Sequence, residues 1–181
     1  RYPLVTGVQT CALPISTKAF KDAGDEVYTF ELDTSFESTE HVNILDLTSE
    51  YLIEKYGRPD FVWASPPCTS FSVASIGKHW NLDKTPKTQA AKDSIELVKH
   101  TLALILSLEP KLGWLMENPR GMLRKLPITQ QLEHRQITYC QYGDTRMKPT
   151  DLWGYVPNWK AKVACKNGMN CHEAAPRGSR T

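Results

Sequence analysis

Two short apolar runs with a long amphipathic helix between them constrain this chain most. Phe61-Val62-Trp63-Ala64, within Asp60–Ser65, is a continuous apolar stretch of the kind that marks a strand buried on both faces, and Pro66-Pro67 stops it. From Thr88 to Glu109, Ala91, Ile95, Val98, Leu102 and Ile105 recur at steps of four and three. That spacing predicts the longest helix of the chain, ended by Pro110. Gly113–Glu117 then reads as a second buried strand, stopped by Asn118-Pro119.

The flanking segments follow the same rule. Thr17–Ala23 reads as the end of a helix, with Gly24 at a left-handed cap. Glu26–Leu32 and Val42–Leu47 read as strands, and Thr48–Tyr56 as a helix closed by Gly57. Residues 69–87, rich in Ser, Lys and Thr, read as a long loop, and Ile137–Gln141 as one more strand. Beyond Asp144 the periodicity fades into a loop-rich tail. Strands alternating with helices predict an α/β fold, a doubly wound and mostly parallel sheet with an irregular Cys-rich tail.

Of the 181 residues, those from 1 to 57 hold 4 Lys+Arg against 10 Asp+Glu, and those from 58 to 181 hold 18 against 10. A basic remainder beside an acidic first third points to a polyanion that approaches one part only. No run of eighteen apolar residues is present, so no membrane span is expected. Five cysteines at 11, 68, 140, 165 and 171 fit a reducing compartment better than a disulfide scaffold. Residues 1–16 differ from the rest, with no acid and little periodicity. The stretch to Ile15 resembles translated sequencing-adaptor sequence, so 1–16 reads as a non-native leader, a native edge strand being the alternative. A catalytic-type core then spans 17–153 and a basic Cys/His tail 154–181.

In open α/β sheets, ligands bind beyond the carboxyl ends of the strands. Glu31, Asp33, Asn43, Asp46, Pro66-Pro67-Cys68 and Glu117-Asn118 all fall on that edge. A cysteine held there by two prolines can serve as a nucleophile once its thiolate is favoured, although a buried inert thiol is the plain alternative. Glu117, ending an apolar strand, can keep or share a proton near neutral pH.

Ala64-Ser-Pro-Pro-Cys-Thr-Ser-Phe-Ser72 resembles the Pro-Cys catalytic loop of the DNA (cytosine-5) methyltransferases, and Leu115-Met-Glu-Asn-Pro119 their Glu-Asn segment. Gln141-Tyr-Gly with Arg146 is similar, more loosely, to their Gln-x-Arg-x-Arg region. The closing Cys-His-Glu-Ala-Ala-Pro-Arg-Gly is similar to phage and prophage members. The resemblance implies a Rossmann-like S-adenosylmethionine-dependent fold, incomplete here, and methyl transfer to a flipped cytosine of double-stranded DNA through a covalent adduct at C6. It assigns chemistry to Cys68, Glu117, Asn118 and Arg146, and cofactor binding to Glu31, Leu32, Asn43, Ile44 and Pro67. Ser70, Ser72, Lys78, His79 and Trp80 would meet DNA. A monomer in the cytoplasm of a bacterial or phage-infected cell is implied as well.

Thr69, Pro119 and Asn43 depart from the family's usual Gln, Val and Asp. A glycine-rich turn after the first strand, a target-recognition region and a last cofactor strand are not found. The expectation is therefore weak cofactor binding and doubtful activity for this chain alone. Two alternatives are an amino-methyltransferase acting on cytosine N4 or adenine N6, and a non-catalytic basic DNA-binding protein. Amino-methyltransferases follow Ser-Pro-Pro with Tyr or Trp, and Cys68 stands there instead. Finally, Cys140, Cys165, Cys171 and His172 supply four ligands of the kind a structural zinc prefers, at a spacing wider than the usual knuckle.

Overall fold

The computed structural model describes residues 3–7, 13–166 and 168–173, with backbone only for 3–7 and 13–16. Among the described residues, seven strands form one mixed sheet: β1 (Pro3–Gly7), β2 (Glu26–Glu31), β3 (Glu40–His41), β4 (Phe61–Ala64), β5 (Gly113–Pro119), β6 (His134–Thr138) and β7 (Pro149–Tyr155). Their spatial order is β3-β2-β1-β4-β5-β7-β6. The first five are mutually parallel, and β7 runs antiparallel between β5 and β6. Helices α1 (Leu13–Asp22), α2 (Ser49–Tyr56), α3 (Ile76–His79), α4 (Gln89–Leu108) and α5 (Pro127–Gln130) supply the connections. The α/β class and the mostly parallel sheet are as expected. The strand order reverses between β1 and β4, which makes the carboxyl ends of those two strands the crevice where such sheets bind ligands.

β1 is the main departure. Residues read as part of a leader, or else as an edge strand, form an interior strand, pairing with β2 on one side and β4 on the other. Backbone donors and acceptors on both neighbouring strands need partners, and Pro3–Gly7 provides them.

Local chemistry explains the elements. The Thr48 and Thr88 hydroxyls accept from the Tyr51 and Ala91 N–H groups and start α2 and α4. The expected strand Val42–Leu47 is instead a single 3-10 turn over Ile44–Asp46. Asn43 Oδ1 accepts the Leu45 N–H at 3.1 Å and curls the chain before it can extend. The strand expected at Ile137–Gln141 lies three residues earlier, and Tyr139–Tyr142 turns as a 3-10 helix ended by Gly143 at φ 98°.

β7 falls where the tail was read as loop. Asp151 and Gly154 weaken its strand signature, yet both are required. Arg124 and His134 hold the buried Asp151 carboxylate, Arg124 Nε at 2.8 Å and His134 Nε2 at 3.0 Å. A Cβ at Gly154 would lie 2.3 Å from the Trp114 carbonyl oxygen.

The larger core packs α2 and α4 against one sheet face, around Phe30, Leu52, Val62, Val98, Ile105 and Met116. On the other face Leu115, Ile137 and Leu152 form a smaller cluster. A cavity of about 560 Å³ adjoins it, lined by Phe20, Phe61, Trp63 and Trp159 among others. β4 is therefore buried on one face and half-buried on the other, because Phe61 and Trp63 point at this cavity. Among the described residues no helix is long and apolar enough to cross a membrane.

Candidate active site

At the end of β4 the chain turns through Ser65, Pro66 and Pro67 to the half-buried Cys68. The Phe71 and Ser72 N–H groups both donate to the Cys68 carbonyl at 2.9 Å and fold the segment back on itself. Asn118, fully buried at the end of β5, donates from Nδ2 to the Pro66 carbonyl at 2.8 Å. That bond ties the Pro-Pro-Cys turn to the neighbouring strand end. The described structure thus uses the Asn118 amide to position the cysteine loop, and its Oδ1 has no hydrogen-bond partner among the described residues.

Glu117, one residue earlier on β5, is 2% exposed. Tyr139 donates its hydroxyl to Oε1 at 3.3 Å, and Lys148 Nζ lies 3.9 Å from the same oxygen. Burial raises the Glu117 pKa above the usual carboxylate range. The Lys148 charge and the Tyr139 hydrogen bond oppose that rise without cancelling it. The Tyr139 phenol is pushed up as well, by burial first and then by the carboxylate beside it. Lys148 also sits 4.7 Å over the Tyr139 ring, so Glu117, Tyr139 and Lys148 form one unit.

Arg146 is placed differently from expectation. Its guanidinium is exposed and engages Asp144, Nε to Oδ1 at 3.0 Å and Nη2 to Oδ2 at 2.7 Å, which holds Asp144 down to about 2. Lys148, two residues on, is the cation facing Glu117. Sequence reasoning passes over Lys148 because Arg146 already fits the family's arginine, and no local signal marks which of the two side chains faces inward.

On the cofactor side, Glu31 is 1% exposed at the end of β2. Its Oε1 accepts from the Leu32 and Asp33 N–H groups at 2.9 and 3.2 Å, while Oε2 has no partner among the described residues. A buried acceptor left open this way fits a ligand hydroxyl. Glu31 also borders a cleft of about 350 Å³ with Thr17, Lys18, Lys21 and Phe36. Leu32 is exposed, and Asn43 is committed to its own turn through Oδ1. Ile44, expected against a ligand, is buried in the main core instead, since the 3-10 turn directs it inward; its neighbour Leu45 is the exposed one. Pro67 is half-buried beside Cys68. The place where a glycine-rich turn was sought, residues 8–12, lies outside the described residues.

The segment 69–87 is not an open loop. Phe71 and Trp80 stack with centroids 5.9 Å apart, both buried, and Trp80 Nε1 donates to the Ser70 carbonyl at 2.7 Å. Ser70 and Trp80, expected to meet DNA, are therefore in the core, because a large aromatic ring with its N–H satisfied gains most by burial. His79 bonds Thr88 Oγ1 at 2.7 Å and Ser72 bonds Ser75 Oγ at 3.0 Å. Lys78 alone of the five is fully exposed. Separately, the structure brings Cys140, Cys165, Cys171 and His172 together, all four ligand atoms lying within 4.8 Å of one another.

No family model matches the chain. It is similar to a protein of Frog virus 3 (isolate Goorha) named "Probable DNA (cytosine-5)-methyltransferase", with 35% identity over 118 residues, 60% of this chain and 54% of the relative. Among solved structures it is similar to a mutant DNMT2 of Spodoptera frugiperda, with a TM-score of 0.54 and 14% identity over 92% of this chain and 54% of that one. The Dnmt2 methyltransferase of S. pombe superposes with a TM-score of 0.52 and 10% identity, over 90% and 51%. The chain has their Rossmann-like fold and spans about half the length of the relatives it matches.

Proposed function

We propose that this chain is the catalytic core of a DNA methyltransferase that acts at C5 of cytosine. The observation that carries the reading is the Asn118–Pro66 bond, which joins the Cys68 turn to the strand end holding a buried Glu117, whose pKa burial raises. The similarity to the viral relative supports the same chemistry.

A stacked cytosine cannot reach a strand-end cysteine, so the base must leave the duplex. Cys68 Sγ forms a bond to C6, and the electrons of the C5–C6 double bond move toward N3. Glu117, which holds its proton more readily than an ordinary carboxyl group, donates to N3 and accepts from the exocyclic amine. Lys148 and Tyr139 keep that carboxyl group in place. C5 becomes an enamine carbon; after methylation its proton passes to solvent water, the C5–C6 double bond re-forms, Cys68 leaves as the thiolate and N3 returns its proton to Glu117. S-adenosylmethionine, when bound, supplies the electrophilic methyl group. Glu31 would hold the cofactor's ribose hydroxyls through Oε2, with Leu32 and Leu45 offering apolar surface to the adenine. Lys78 and the basic remainder of the chain would meet DNA phosphates, and the setting is the cytoplasm of a bacterial or phage-infected cell.

The test incubates the full-length protein with duplex DNA and S-adenosylmethionine. Mass spectrometry of the released nucleosides is expected to show 5-methylcytosine. N4-methylcytosine or N6-methyladenine would establish an amino-methyltransferase, and DNA binding with no methylated product would establish a non-catalytic module.

A further inference from the structure

We propose that Cys140, Cys165, Cys171 and His172 bind one zinc ion, and that this centre clasps the chain after β7 onto the turn that carries Tyr139. Three sulfurs and an imidazole are the donors zinc prefers in closed structural sites. With zinc–sulfur bonds of about 2.3 Å, tetrahedral geometry puts neighbouring sulfurs about 3.8 Å apart. Cys171 Sγ lies 3.7 Å from Cys140 Sγ and 3.2 Å from Cys165 Sγ, and His172 Nδ1 lies 3.3 and 3.7 Å from the sulfurs of Cys165 and Cys171. A disulfide would use two of these groups and leave a buried thiol and an imidazole converging on nothing.

Surrounding bonds support the ligands. Gln141 Nε2 donates to Cys171 Sγ at 3.2 Å, and the Cys165 N–H donates to Thr138 Oγ1 at 2.8 Å. Such outer contacts orient ligands and favour thiolates. Cys140 lies in the turn after β6 and the other three ligands lie beyond β7, so the ion would close a loop over residues 139–148. Further bonds knit the same two segments: Lys162 N–H to the Tyr142 hydroxyl at 2.8 Å, Lys162 Nζ to the Gln141 carbonyl at 2.8 Å, and Glu173 N–H to the Thr145 carbonyl at 2.8 Å. That loop carries Tyr139 and Lys148, the two groups that face Glu117. The metal would act as a positioning device, remote from the reacting atoms. Its existence does not depend on the methylation reading; only the purpose of the clasp does.

The test measures metal in the full chain purified under reducing conditions without chelator. Plasma mass spectrometry is expected to find one zinc per chain, and cobalt substitution to give the visible bands and thiolate charge transfer of a tetrahedral site. Cys171→Ser and His172→Ala should abolish stoichiometric binding, while Cys11→Ser and Cys68→Ser retain it. Gln141→Leu should weaken zinc about tenfold against a competing chelator. Amide exchange over residues 139–148 should quicken about tenfold or more when zinc is removed, at a free energy of about 1.4 kcal/mol per tenfold. A folded, reduced chain that takes up neither zinc nor cobalt overturns the proposal, as does a Cys165–Cys171 disulfide in metal-free protein. Unchanged exchange over 139–148 after zinc removal overturns the clasp.

Discussion

Replacing Lys148 by Met isolates the charge that faces Glu117, because Met keeps most of the aliphatic stem over the Tyr139 ring. At 3.9 Å the pair's attraction is about 1 kcal/mol in water and about 4 kcal/mol at the effective dielectric of a protein surface. Lys148 is partly exposed and Glu117 buried, so the true value lies between those limits. Removing the charge should raise the Glu117 pKa further, because Lys148 is the main group opposing the effect of burial. The folded pKa already lies above the ordinary 4.5, so between those two values the native state holds a proton the unfolded state has lost, and stability falls as pH rises through that window. Lys148→Met raises the upper end of the window and enlarges the loss. Urea unfolding should show near-equal stability at pH 4, with the variant weaker by about 1 to 4 kcal/mol at pH 8. Carbon-13 NMR of the Glu117 carboxyl group would follow the titration directly. A destabilisation of the same size at both pH values would refute the coupling.

Three further outcomes follow from single contacts. Asn118→Leu leaves the Pro66 carbonyl without its donor and should cost about 1–3 kcal/mol in urea unfolding while speeding Cys68 alkylation; unchanged alkylation would contradict the positioning role. Trp80→Ala should cost about 3–5 kcal/mol as a core truncation; lost DNA affinity at full stability would restore it to the DNA surface. Glu31→Gln in the full-length protein should weaken S-adenosylmethionine binding about tenfold by calorimetry, since an acceptor oxygen for a ligand hydroxyl is lost; an unchanged Kd would remove Glu31 from the cofactor site.

β2, β4 and β5, with α2 and α4, were legible because their signals are local. Caps at Thr48 and Thr88, the stop at Pro66 and the stripe on α4 need no distant partner. β7 was not legible, because Asp151 belongs in a buried strand only once Arg124 and His134 are brought to it from elsewhere. β1 was hidden by its strange flanks, and only its pairing with β2 and β4 identifies it. At the site, the strand-end residues Cys68, Glu117 and Glu31 could be picked by register alone. Which cation faces Glu117 depends on a turn that directs Arg146 to Asp144 and Lys148 inward, and spacing does not encode that. Trp80 was misplaced for a similar reason: a polar segment hid two rings that bury each other. The acidic first third contains Glu31, and the basic remainder holds Cys68 and Lys78.

The central claim is that Cys68 attacks cytosine C6, and a mechanism-based trap tests it most directly. Duplex DNA carrying 5-fluorocytosine blocks the last step, because fluorine at C5 cannot leave as a proton does and Cys68 cannot be expelled. With S-adenosylmethionine and the full-length protein, a covalent protein–DNA species should form, map to Cys68 by peptide sequencing and vanish in Cys68→Ser. An adduct that survives Cys68→Ser, or none from a protein shown to bind both DNA and cofactor, would contradict the account.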